Sequence, residues 1–176
     1  LNGLRALLSA GVDLEQRENT PGHATCTALL FAMHHKKSKT CQKHEVVKLL
    51  LEAGADVNAR IRWSIGSDGG PTCLYRAIMV GNNAMLSLLL EAGADVDMKI
   101  CMHAGTFPRD NWLNALHFCC CSTRPSAETV KLLLDAGVDP NSKDTYGYTP
   151  LHTIIMNLRR ERVGVDEAVK IVKLLL

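Results

Sequence analysis

The chain has 176 residues and 19.3 kDa, with 20 Lys+Arg against 18 Asp+Glu and a formal net charge of +2. That balance excludes disorder driven by charge excess and a surface built to coat polyanions. Hydrophobic residues reach 47% and aromatics only 5%, so the core is expected to be aliphatic, and no apolar run reaches the roughly 18–20 residues of a membrane span. The seven Cys are odd in number, and Cys119, Cys120 and Cys121 are contiguous. Adjacent side chains rarely meet disulfide geometry, so free thiols in a reducing compartment are expected. The chain opens Leu1-Asn2-Gly3 with a charge at Arg5, unlike a secretion signal.

In chain order, residues 4–10 read as a helix closed by Gly11-Val12-Asp13-Leu14. A short helix opens at Thr27-Ala28-Leu29-Leu30 and is followed by Leu49-Leu50-Leu51-Glu52-Ala53-Gly54-Ala55-Asp56-Val57-Asn58. The same pair returns as Thr72-Cys73-Leu74-Tyr75 with Leu88-Leu89-Leu90-Glu91-Ala92-Gly93-Ala94-Asp95-Val96-Asp97. It returns again as Asn114-Ala115-Leu116-His117 with Leu132-Leu133-Leu134-Asp135-Ala136-Gly137-Val138-Asp139-Pro140-Asn141. The last pair is Gly147-Tyr148-Thr149-Pro150-Leu151-His152 and a helix running into Leu174-Leu175-Leu176. Each leucine helix before the last ends on Gly, which enters the left-handed C-cap conformation without a Cβ penalty. Thr149 can N-cap its helix, and Pro150 at the first position loses a donor that would have no partner there.

These units resemble ankyrin repeats, whose signature places Thr-Pro-Leu-His ahead of a leucine helix and Gly-Ala-Asp-Val-Asn. The resemblance spans essentially the whole chain and implies an all-α ankyrin-repeat solenoid of paired helices with β-hairpin-like finger loops. It divides the chain into a partial repeat at 1–18, repeats at 19–58, 59–97 and 98–141, and a partial repeat at 142–176. The glycines recur at 43, 39 and 44 residues, against about 33 in the family. The finger turns before Thr27, Thr72 and Asn114 exceed the family spacing by about 4, 6 and 9 residues. The inter-helix loops after Thr27, Asn114 and Thr149 gain about 6, 2 and 9. Both ends fall within a repeat, so a fragment of a longer array is expected.

The resemblance further implies that fingers and first helices line a concave surface that grips a protein or peptide partner. Both tryptophans fall in the extended turns, and buried Trp and Arg anchors are enriched in binding hot spots. The candidate partner-binding residues are Arg60, Arg62 and Trp63 in one finger, Phe107, Arg109 and Trp112 in the next, and Tyr146 and Tyr148 in the third. The competing expectation is that these aromatics fold back to order their own loops, with Trp112 acting as a hydrophobic staple ahead of a helix. Arg60 and Arg62 are expected to be exposed.

Other chemistry is weakly signalled. The basic loop His34-His35-Lys36-Lys37-Ser38-Lys39-Thr40-Cys41-Gln42-Lys43-His44 and the cluster Arg159-Arg160-Glu161-Arg162 have no interleaved aromatic to stack a base, so they read as solvated loops. His34, His35, Cys41 and His44 offer zinc-ligand types without a finger spacing, and no metal is expected. The run His117-Phe118-Cys119-Cys120-Cys121 reads as core, as does Cys73. Gly66-Ser67-Asp68-Gly69-Gly70 lacks the Lys-Ser/Thr of a phosphate loop, and no nucleophile elbow appears, so no enzyme and no cofactor are expected. The family resemblance makes His152 and Thr149 structural, and places Asn58 and Asn141 at a turn position that asparaginyl hydroxylation can target.

The resulting expectation is a monomeric interaction scaffold or adaptor in the cytoplasm or nucleus. Its rivals are the substrate receptor of a ubiquitin ligase of the SOCS-box type, the cytosolic ankyrin domain of an ion channel, and RNA or phosphate binding by the basic loops.

Overall fold

The computed structural model describes residues 2–17, 26–34, 40–61, 70–102 and 111–176. Its elements are α1 (Asn2–Ser9), α2 (Ala28–His34), α3 (Thr40–Glu52), α4 (Cys73–Val80), α5 (Asn83–Glu91), β1 (Ile100–Met102), β2 (Asn111–Leu113), α6 (Ala115–Cys121), α7 (Ala127–Asp135), α8 (Pro150–Arg159) and α9 (Val165–Leu175). Helices pack in consecutive pairs, α2 with α3, α4 with α5, α6 with α7 and α8 with α9. The first helices α2, α4, α6 and α8 stack side by side, and α5, α7 and α9 form a second row. The repeat in the sequence is therefore a repeat in space, and the molecule is an all-α solenoid.

The leucine helices stop for the reason their sequence suggests. Gly54, Gly93 and Gly137 sit at φ 89°, 83° and 89°. The following amides of Ala55, Ala94 and Val138 return to the carbonyls of Leu50, Leu89 and Leu133 at 3.0–3.1 Å. This closes carbonyls that a helix end leaves unpaired. The chain then turns on an aspartate: the side chains of Asp13, Asp56, Asp95 and Asp139 each accept the amide two residues on, at 2.8–2.9 Å. A short carboxylate that mimics a turn carbonyl explains why Asp recurs here.

Between repeats, the interface is aliphatic. Leu29, Leu74, Leu86, Leu89, Leu116, Leu133, Ile154 and Ile171 are all at most 1% exposed. Burying each such side chain contributes roughly 1.5–3 kcal/mol. Cys73, Cys119 and Cys120 are buried among them as small hydrophobes. Tyr75 meets Phe118 edge-on, with ring centroids 5.3 Å apart.

The insertions differ from the sequence expectation in one respect. Residues predicted as long inter-helix loops after Thr27 and Thr149 partly lengthen helices instead. α3 has 13 residues against 9 in α5 and α7. α8 has 10, against 8 and 7 in α4 and α6. Extending an existing helix pairs one more backbone group per residue, whereas a loop needs new partners for each. The finger insertion before Asn114 does form a hairpin. β1 and β2 pair antiparallel with Ile100 opposite Leu113, Cys101 opposite Trp112 and Met102 opposite Asn111.

The longer α8 ends awkwardly. Glu161 takes φ 56°, the left-handed conformation that Gly takes where α1, α3, α4, α5 and α7 end. Glu161 and Arg162 donate their amides to the carbonyls of Leu158 and Asn157 at 3.0 and 3.1 Å, so the conformation is held. Left-handed backbone costs an L-residue about 1–2 kcal/mol, against the extra unfolded-state entropy of Gly. Glu161→Gly is expected to stabilise the fold by about 0.5–1 kcal/mol in urea unfolding; a lower midpoint would show that the carboxylate matters more than the backbone.

Candidate interaction surface

The fingers are held by side chains reaching forward from the preceding repeat. Tyr75 occupies the third position after its cap residue Thr72, the place held by His117 after Asn114. Its hydroxyl lies 2.7 Å from the Met98 carbonyl and 3.0 Å from that of Leu113, so one phenolic proton serves the base of the β1–β2 finger. One repeat on, His117 Nε2 lies 2.8 Å from the Tyr148 carbonyl in the third finger. Leu30, at the same position after Thr27, is fully buried and offers only packing. The predicted structural role of this histidine position is thus carried visibly by His117. In the last repeat, His152 Nδ1 faces its own Thr149, 2.8 Å from Oγ1 and 3.3 Å from the amide.

Further ties follow the same register. Six residues after the helix-ending glycines Gly11 and Gly54, Arg17 donates Nη1 to the Arg60 carbonyl at 2.8 Å, and Arg60 donates Nη2 to the Lys99 carbonyl at 2.9 Å. At the position four after each glycine, Glu15 accepts the Asp56 amide at 2.9 Å and Asn58 accepts the Asp95 amide at 2.8 Å. On the helices the ties run the other way, from the last repeat back to the one before: Asn157 donates to the Cys120 and Ser122 carbonyls at 2.8 and 2.9 Å, and Glu167 accepts the Ala127 amide at the start of α7 at 2.7 Å. These contacts satisfy backbone groups that helix ends and turns leave open.

Of the candidate binding residues, Trp112, Tyr146 and Tyr148 are exposed, at 41%, 37% and 43%. Trp112 does not fold away as a staple; its position on β2 fixes its backbone while its ring stays accessible. The Trp112 amide donates to Thr145 Oγ1 at 2.9 Å, and Asn111 Nδ2 donates to Asp144 at 3.1 Å, so the second and third fingers are joined. Asp144 also accepts the amides of Tyr146 and Tyr148, each at 2.9 Å, and shapes the third finger. Beside Tyr148, whose ring centroid is 5.9 Å from that of His152, a cleft of about 300 Å³ is lined by Leu151, Ile155, Met156 and Arg159.

Arg60 is placed differently from the expectation. It is half-buried, and its guanidinium bridges Gly70 O at 3.1 Å and Lys99 O at 2.9 Å. An arginine that holds two carbonyls of its own chain positions fingers rather than offering a free charge. Arg62, Trp63, Phe107 and Arg109 lie outside the described residues, as do residues 35–39 of the basic loop, with His35, and most of the glycine-rich stretch; His34 falls at the end of α2, and Cys41 and His44 fall in α3. The sequence reading missed Tyr75, Arg17, Glu15, Asn157 and Glu167. Aligning the repeats on their glycines and caps would have placed the first three beside Arg60, Asn58 and His117.

The site chemistry is that of packing and recognition. Burial pushes the Cys73 thiol up to about 12 and those of Cys119 and Cys121 up to about 11, with Cys120 also raised, so none is a ready thiolate nucleophile. Among the described residues no group of three His, Cys, Asp or Glu could hold a metal ion, and no helix is long and apolar enough to cross a membrane.

Stacked helix pairs, αL glycine stops, aspartate turns and forward-reaching ties define a helical-repeat solenoid with projecting fingers. The sequence profile for ankyrin repeats in three copies matches residues 1–100, and that for a single ankyrin repeat matches residues 111–145. The chain belongs to the ankyrin repeat family, whose members are generally protein–protein interaction modules and typically not enzymes. No curated protein matches it.

His117 makes the ties pH-dependent. Burial lowers its pKa, opposed by the Tyr148 carbonyl and the Asp144 carboxylate and assisted by Lys99. Nδ1 lies 2.6 Å from Asn114 Oδ1, so an imidazolium would donate to both oxygens; burial has to outweigh that pull. With the folded pKa below the unfolded value of about 6.5, the neutral ring's stability is fully present above pH 6.5 and is lost as pH falls through the lowered pKa. Below pH 6.5 His117 should remove no more than about 1.4 kcal/mol of wild-type stability per unit, and His117→Gln should lose less than wild type over the same range. An equal or steeper loss in the variant would place the sensitivity elsewhere.

Proposed function

We propose that the chain recognises a protein or peptide partner through its fingers and the adjoining first-helix face. The observation that carries this is the group of exposed aromatics Trp112, Tyr146 and Tyr148 on two fingers joined by the Trp112–Thr145 and Asn111–Asp144 hydrogen bonds. Large aromatics on a pinned backbone lose little conformational freedom on binding, which is why they serve as anchors. Arg62, Trp63, Phe107 and Arg109 extend the same reading along the fingers. Arg60 acts in it as a positioning residue.

A ligand selected from a random peptide display library on the wild-type chain supplies the test. Trp112→Ala and Tyr148→Ala should each lower its affinity at least about tenfold, about 1.4 kcal/mol, with the melting temperature unchanged. Full affinity in both variants would contradict a finger site.

A further inference from the structure

The first-helix face has a charge pattern of its own. α2, α4, α6 and α8 contain no Asp or Glu. The acids lie instead on the second helices, as with Glu52, Glu91 and Glu128, and in the finger turns, where Asp56 and Asp95 accept backbone amides. In the middle of this acid-free face stands Arg76 on α4. It is half-buried, its Nε is enclosed and finds no acceptor, and its Nη1 points to Met79 Sδ at 4.0 Å, a weak acceptor. No carboxylate pairs with it among the described residues.

Its immediate surroundings are apolar and open. Met79 and Val80, in the last turn of α4, are 51% and 57% exposed. A guanidinium with its Nε enclosed without an acceptor, and with only a thioether against the exposed Nη1, has donors to spare for a partner. A partly desolvated cation in that condition gains most from a carboxylate, which matches the planar donor fork. An apolar or cationic group seated there would deepen its desolvation with nothing in return, and a neutral carbonyl would return less than a carboxylate.

We propose that this face takes a protein segment carrying an Asp or Glu close to a large apolar side chain, the carboxylate seated on the Nη edge of Arg76 and the apolar group on Met79 and Val80. This rests on the reading of the molecule as a partner-binding solenoid and names the chemistry of the partner.

The test uses random short peptides displayed against the full chain, with the recovered peptides synthesised and titrated. The expected peptides hold an Asp or Glu within a few positions of Leu, Phe, Met or Trp. Their affinity should fall at least about tenfold on Arg76→Met and recover in part with Arg76→Lys. Changing the peptide's acid to Asn or Gln should cause a similar loss on wild type and little further loss on Arg76→Met, a coupling that misfolding cannot imitate. Recovered peptides without an acid, or no recovered peptide, would overturn the proposal. Peptides weakened by Tyr148→Ala but indifferent to Arg76→Met would overturn it while leaving the finger site standing. Peptides indifferent to both would remove both readings.

Discussion

The organisation of this molecule depends on side chains of one repeat holding the backbone of the next. The aliphatic interface supplies most of the stabilisation, but apolar contact is non-directional and does not by itself set where a finger points. Direction comes from the hydrogen bonds. Tyr75 fixes the base of the β1–β2 ribbon, His117 fixes the third finger, and Arg17 and Arg60 each grip a carbonyl one repeat ahead. Because a repeat cannot bury its own face, neighbour interfaces carry the stability, and every tie acts on two repeats at once. The exchange of His for Tyr at position 75 also has a physical sense. The second finger is the one with the longest insertion ahead of its helix, and a phenol reaches further than an imidazole and can lie between two carbonyls.

These constraints connect fold to recognition. A long hairpin insertion would ordinarily lose much entropy when a partner ordered it. Here the described part of the ribbon is paired strand to strand and joined to the third finger through Asn111, Trp112, Asp144 and Thr145. Trp112, Tyr146 and Tyr148 are therefore presented on a framework ordered before any partner arrives. The acid-free helix face around Arg76 adds an electrostatic preference that the fingers, with their self-satisfied aspartates, do not.

Much of this was legible from residues alone. The repeated Leu-Leu-Leu-x-Ala-Gly segments carried the helix ends and the αL glycines, because each is a local backbone requirement written in one or two residue types; the aspartate turns beside them were missed, although Asp recurs there in every copy. The burial of Cys119 and Cys120 followed from their place on an apolar helix. Side-chain fate in the insertions was less legible. Arg60 was expected to be exposed, since long cations usually are, yet two carbonyls within reach claimed it. Trp112 had two plausible fates, and strand pairing with Cys101 decided it. The extra residues near α3 and α8 became helix because nothing in composition distinguishes a polar loop from a polar helix turn. Tyr75 looked like a degenerate signature residue until the neighbouring repeat's carbonyls were in place around it.

The most direct test of the central claim removes one oxygen atom. In Tyr75→Phe the ring and its contact with Phe118 remain, while the Met98 and Leu113 carbonyls lose their donor. Native-state hydrogen exchange should show protection of the β1–β2 ribbon amides falling at least about tenfold, with a smaller change in α7 and α9. Unchanged ribbon protection would mean that packing alone positions the fingers, and the account of forward-reaching ties would be wrong.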